Sequence, residues 1–363
     1  MIQYQHAERA RLRPAEALVW TRSVRPEQPS TIGIDGFVYG STGAANRTLW
    51  RSGDGMQTIE EGPTLDFLPF WFSRTSSGHV VISRDWANDT AAIYHSTTFA
   101  GPYESVQTLK AVGSISIGTP VPLPNGNTLL LVGEYHGSIG PTRDLYKSED
   151  GGLTWSVMRS SPTIVDGAVV SHWHCAEYDR GRIWAAHGDG SNRWFGYSDD
   201  LGSTWATIEE GASNVYRPPT AIAPLGPSAD GWRRRIALGP DSLAPVSVDS
   251  MDAVGHKFRK ADLLISNAYS AAYQFAIGPK AGTPGGNVCY LTMPPSGSGS
   301  DRLWVAATGD GGASWHAVVD RALGGDVISW GVIGPDRVGL LYSRGTNGGN
   351  SYVDIAPALA WVP

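Results

Sequence analysis

One pattern recurs along the whole chain: a turn signal rich in Asp, Asn and Gly, followed at once by a short apolar run. It appears as Asp35-Gly36 before 37–39, Ser77-Gly78 before 79–83, Asn125-Gly126-Asn127 before 128–132, and Asp179-Arg180-Gly181 before 182–186. Three further copies are Asp230-Gly231 before 235–238, Gly285-Gly286-Asn287 before 288–291, and Pro335-Asp336 before 337–342. With Tyr39, Ile82, Leu131, Trp184, Ala237, Tyr290 and Leu341 as equivalent positions, the steps are 43, 49, 53, 53, 53 and 51 residues. A period of that size marks a repeat architecture, and each copy holds four short strands rather than helices. The third strand of each copy is read at 48–52, 92–96, 144–148, 193–198, 245–249, 302–308 and 351–355. The chain is therefore expected to be all-β, a seven-bladed β-propeller of four-stranded antiparallel blades.

Composition agrees. The 363 residues include 45 Gly and 24 Pro, which punctuate strands, and 14 Trp and 14 Tyr, which fill the space between sheets. A formal charge of −6 gives no basic footprint for nucleic acid, and no apolar run is long enough to insert in a membrane. Residues 1–15 are polar, without the apolar stretch of a secretory signal, and are read as an N-terminal arm and possible docking segment. Residues 16–363 form one propeller domain, with residues 17–24 expected as the outer strand of the last blade, closing the ring and covering its edge. Cys175 and Cys289 are far apart in sequence and are expected as two buried free thiols.

The turn after the third strand repeats most faithfully. Ser148-Glu149-Asp150-Gly151-Gly152-Leu153-Thr154-Trp155, Ser198-Asp199-Asp200-Leu201-Gly202-Ser203-Thr204-Trp205 and Thr308-Gly309-Asp310-Gly311-Gly312-Ala313-Ser314-Trp315 share the template Ser/Thr-x-Asp-x-Gly-x-Ser/Thr-Trp; Ser52 to Ile59 is a degenerate copy. The Asp accepts turn amides, Gly allows positive φ, and Trp fills the gap between strands. This motif resembles the Asp box of the sialidase and BNR-repeat superfamily, and the resemblance covers the chain from about residue 25 to its end. It implies a propeller with the Asp boxes opposite the functional face, six blades being the alternative count because sialidases have six. The sialidase arginine triad is not matched in place: Arg25-Pro26-Glu27 stands where that family has Arg-Ile-Pro, and Arg84, Arg217 and Arg344 fall in blades that are not neighbours. The resemblance therefore points to a non-sialidase member, such as a phage tail-associated propeller.

The functional face is expected at the loops after the second strands and at the starts of the inner strands. Ser83-Arg84-Asp85-Trp86, Gly133-Glu134-Tyr135-His136 and His187-Gly188-Asp189 end second strands there. Asp85, Glu134 and Asp189 are candidate acid and base for glycoside hydrolysis, which uses a pair of carboxylates. Arg84, Trp86, Tyr135, His136, His172, Trp173, His174, His187, Tyr216 and Arg217 are candidate ligand-binding residues, since aromatic faces stack on sugar rings while polar neighbours bond their hydroxyls. His172 and His174, two apart on a strand, point to one side; a metal there was weighed against ligand contact, and no metal or other cofactor is expected. The expected partner is carbohydrate, a cell-surface or cell-wall polysaccharide, with virion tail proteins docking through residues 1–15. The expected setting is a virion or extracellular surface, with the cytoplasm as alternative, and the competing functions are a sialidase-like hydrolase and a structural scaffold.

Overall fold

The computed structural model describes the backbone of residues 13–14, 21–25, 28–32, 35–42, 47–54, 56–83, 91–110, 114–135, 142–161, 172–188, 193–210, 219–227, 234–240, 247–251, 257–262, 274–279, 287–293, 302–308, 316–322, 326–332, 337–343, 351–357 and 361–362. Side chains are described within those ranges from 35 to 208, apart from 114–117, and at 219–224, 236–239, 289, 307 and 308. All regular structure among these residues is strand, and no helix is long and apolar enough to cross a membrane.

Seven antiparallel sheets follow one another in chain order. Blade 1 is Gln28–Ile32, Val38–Thr42, Thr48–Ser52 and Glu60–Thr64; blade 2 is Pro69–Arg74, His79–Ser83, Ala91–Ser96 and Glu104–Leu109. Blade 3 splits its first strand into Ser114–Ile117 and Val121–Pro122, both paired to Thr128–Tyr135, and continues with Asp144–Ser148 and Ser156–Ser160. Blade 4 is Trp173–Asp179, Arg182–His187, Trp194–Ser198 and Ala206–Glu210. Blades 5 and 6 begin at Pro219–Pro227 and Gln274–Pro279 and repeat the meander. Blade 7 takes Asp326–Val332, Arg337–Ser343 and Ser351–Pro357 from the end of the chain and its outer strand, Thr21–Arg25, from the beginning. First strands touch between blades 1 and 2 and from blade 3 through blade 7, and the first strand of blade 7 meets that of blade 1, so first strands are innermost.

The expected closing strand is thus present, with bounds Thr21–Arg25 rather than 17–24. Upstream of it Arg13 and Pro14 pair with Val362 and Trp361, so the last part of the supposed arm is tied to the C-terminus.

The core lies in the seams between blades. Val80, Ile82 and Ile93 of blade 2 pack on Leu130, Val132 and Tyr146 of blade 3. Leu129, Leu131 and Leu145 of blade 3 pack on Trp173, Ile183 and Trp194 of blade 4, and Trp184 and Phe195 continue into Ile222 and Ile236 of blade 5. Both faces of the sheets of blades 3 and 4 are covered in this way, which is why their strands read as apolar runs rather than as alternating patterns. A cation closes the seam of blades 3 and 4, where Arg159 lies 4.1 Å over the Trp194 ring; within blade 4, Arg182 lies 3.8 Å over Tyr197 while pairing with both oxygens of Asp199 at 2.7 and 2.6 Å.

The turns after third strands are built from one set of bonds. In blade 3 the Ser148 hydroxyl donates to Asp150 at 2.7 Å and accepts from the Gly152 amide at 2.7 Å; Asp150 accepts the amides of Leu153 and Thr154 at 3.0 Å, and Trp155 donates to the Gly152 carbonyl at 3.1 Å. Blade 4 repeats this with Ser198, Asp200, Thr204 and Trp205, and blade 1 with Ser52, Asp54 and Thr58. The Thr58 hydroxyl and amide hold the Asp54 carboxyl down at about 2. Gly152 has φ of 101°, and a Cβ there would lie 2.4 Å from a Val80 methyl, so the turn is seated on the preceding blade. Met56 occupies the same place in blade 1 with φ of 71° and 1% exposure. There the methionine, rather than the close approach of two blades, fills the gap. The turn at 309–315 lies outside the described residues.

Candidate functional site

Strand alternation sorts the second strand of blade 3 onto two seams. Leu130, Val132 and Glu134 face blade 2; Leu129, Leu131, Gly133 and Tyr135 face blade 4. Gly133 is required there because a Cβ would stand 2.5 Å from the Cβ of Trp173. Adjacent residues of one motif thereby enter different environments.

Glu134 has no exposed surface. Its carboxylate accepts the Lys110 amide, where the chain crosses from blade 2 to blade 3, and the Asp144 amide at 2.8 Å. The Tyr146 hydroxyl lies 3.3 Å from both Glu134 and Asp144 and donates its single proton to one at a time. Asp144 also accepts from Ser160 at 2.6 Å and pairs with the Lys110 ammonium. Burial pushes the Glu134 carboxyl above its ordinary range, and burial with two neighbouring carboxylates pushes the Tyr146 phenol up. The sequence reading expects Glu134 as a catalytic carboxylate; in the fold it is sealed from solvent, bonded to two backbone amides and the Tyr146 hydroxyl, and clamps the crossover to the blade. Asp85 and Asp189, its proposed partners, lie outside the described residues, as do Arg84, Trp86, His136, Tyr216 and Arg217.

Two aromatic candidates are corrected likewise. Trp173 is 0% exposed in the seam of blades 3 and 4 and donates its indole N–H to the Arg143 carbonyl at 3.1 Å, so neither ring face is open to a sugar. His187 is buried edge-on to Trp173 at 4.9 Å and stacked on Trp194 at 5.5 Å. The inner strand of blade 4 starts at Trp173, and its side chain turns into the seam.

Tyr135, His172 and His174 are brought together. The half-buried Tyr135 ring lies 3.8 Å from the ring of His172 and 6.4 Å from that of His174. The two imidazoles are 4.7 Å apart, 22° from parallel, with Nε2 atoms at 2.8 Å. The cluster stands where blade 4 begins, at the ring end from which the connections 136–143, 161–172, 188–193 and 211–218 leave. At the other end Asp179 and Arg182 are joined by two residues.

A group the sequence reading missed lies farther along the inner strand. Glu177 lies in the middle of the strand Trp173–Asp179 and reaches blade 3, where the Thr119 amide lies 3.2 Å from both carboxylate oxygens and the Thr119 hydroxyl 3.2 Å from one. Among the described residues no cation pairs with it, and burial pushes its pKa up to about 8. The folded state therefore keeps a proton that the unfolded chain releases near pH ~4.3. Stability falls as pH rises between these two values and levels off above the higher one. Glu177→Gln is expected to remove that decline, so that its unfolding midpoint exceeds wild type at pH ~8.5 and meets it at pH ~5. Parallel midpoint curves in calorimetry would show that Glu177 titrates normally.

Cys175 and Cys289 are both buried free thiols, and Cys175 donates to the Pro219 carbonyl at 3.2 Å.

No family model matches the chain, and no curated protein matches it. Solved structures do. The RRP9 WD40 repeats align over 96% of this chain and 99% of that one, with a TM-score of 0.53 and 11% identity. Hydrazine synthase of Kuenenia stuttgartiensis aligns over 92% and 96%, with 0.53 and 13%. A GH74 enzyme of Niastella koreensis aligns over 94% of this chain but 55% of its own length, with 0.52 and 15%, so the chain spans about half of that enzyme. At such identities the likeness carries architecture alone, and with the seven sheets described above it makes this chain a β-propeller.

Proposed function

We propose that this propeller recognises a glycan at the ring end carrying Tyr135, His172 and His174. The observation that carries the reading is the half-buried Tyr135 ring tilted against two imidazoles, where the long connections leave. An aromatic face with hydrogen-bonding nitrogens beside it suits a pyranose, whose C–H face stacks while its hydroxyls bond. Recognition is favoured over hydrolysis because Glu134, the described member of the carboxylate set, is sealed in a structural clamp. The biological setting we propose is a phage tail or other extracellular surface meeting host polysaccharide, with the residues before Arg13 as the docking segment. The sialidase-like Asp-box superfamily is the family we propose, on the strength of the Ser-x-Asp-x-Gly turns.

The test is incubation of the purified chain with bacterial cell-wall and capsular polysaccharides, following binding and reducing-end release in the same wells. Binding without release is expected. Tyr135→Ala is expected to weaken it about tenfold, the worth of one aromatic contact. Release of reducing ends by the wild type would overturn the reading in favour of a hydrolase.

A further inference from the structure

The His172 and His174 pair has a geometry that sugar binding does not require. The pairing of Trp173–Asp179 with Arg182–His187 slips between Trp173 and Cys175, so His174 sits at a bulge. A bulge re-aims a side chain, and here it turns His174 so that its Nε2 meets that of His172 at 2.8 Å. Two imidazoles that bind one zinc ion do so at about 2.0–2.1 Å each, which at a tetrahedral angle puts their nitrogens about 3.3 Å apart. The pair would have to open by only about half an ångström, less than a small rotation about each χ2 supplies.

We propose that His172 and His174 chelate one borderline divalent metal ion, of the zinc, nickel or copper class, through their Nε2 atoms. Two neutral imidazoles select that class over calcium and magnesium, which take oxygen ligands. No third His, Cys, Asp or Glu among the described residues joins the pair, so the remaining positions are left to water or to an oxygen of a bound ligand. The two imidazoles are themselves buried, at 4% and 9% exposure, with the half-buried Tyr135 ring beside them. Without metal, one imidazole donates its Nε2 proton to the other. On binding, that donor changes tautomer, its proton leaving Nε2 and one being taken up at Nδ1, and both Nε2 lone pairs turn to the ion.

The test is calorimetric titration of the full chain with zinc chloride, without any glycan, which separates this inference from the glycan reading. One equivalent is expected to bind, and His172→Asn and His174→Asn are each expected to lose it while keeping the wild-type circular dichroism. Absence of binding by the wild type, or one equivalent retained by His174→Asn, would overturn the proposal. If either variant fails to fold, ring 15N shifts of the wild type on zinc addition decide. Two coordinated Nε2 resonances support the site; one or none refutes it.

Discussion

The full chain is expected to run as a monomer and a chain beginning at residue 26 to collect into oligomers, because the shortened chain lacks the outer strand of blade 7. Thr21–Arg25 pairs residue for residue with Ser351–Ile355 and is the covalent tie between the first and last blades. Net contributions of about 1 kcal/mol per ladder hydrogen bond make such a strand worth roughly 3–5 kcal/mol, against a whole-domain stability of about 5–15 kcal/mol. The loss is also qualitative. Its removal bares the N–H and C=O row of Ser351–Pro357, a template on which another chain can pair. A peptide of residues 17–25 supplied in trans is expected to restore the monomer by adding the missing strand. Size-exclusion chromatography with light scattering reads both steps. A truncated chain that stays monomeric and melts with the full-length protein would show that contacts between blades 7 and 1 close the ring unaided.

The repeat made the architecture legible, and the strand bounds show how closely. Third strands read at 48–52, 144–148 and 302–308 are found as Thr48–Ser52, Asp144–Ser148 and Arg302–Thr308, because each is fenced by the turn motif that follows it. Blade 5 lacks that fence, and its third strand is Ser247–Met251 rather than 245–249. The site was less legible for a physical reason. Alternation says that Glu134 and Tyr135 point oppositely, but which of them meets a seam depends on how blades 2, 3 and 4 are stacked, a long-range property that no local pattern encodes. His172 and His174 were readable as sharing one side; their convergence needed the bulge, and their contact with Tyr135 needed the stacking of blade 4 on blade 3. Glu177, an acid in the middle of the inner strand Trp173–Asp179, was a signal available in sequence, since a carboxylate placed within an innermost strand demands a partner.

Glu134→Gln is the substitution that separates the clamp from a catalytic role, and it is expected to destabilise the fold by roughly 2–3 kcal/mol. The carboxylate offers acceptors on both sides: one oxygen to the Asp144 amide, the other to the Lys110 amide and the Tyr146 hydroxyl. A glutamine offers one acceptor and one NH2 group. With the NH2 group toward Asp144 it opposes that N–H; turned over, it opposes the Lys110 N–H. Either way a buried amide keeps no acceptor, and the full desolvation penalty of that group falls on the folded state. Tyr146 can reverse its role and accept from the NH2 group, so Tyr146→Phe in the Gln background is expected to worsen rather than relieve the loss. Urea unfolding gives the stability difference, and polysaccharide binding by the folded protein is expected to be unchanged, since Glu134 has no surface to present. Wild-type stability together with lost function would invert the assignment and return Glu134 to the acid/base pair.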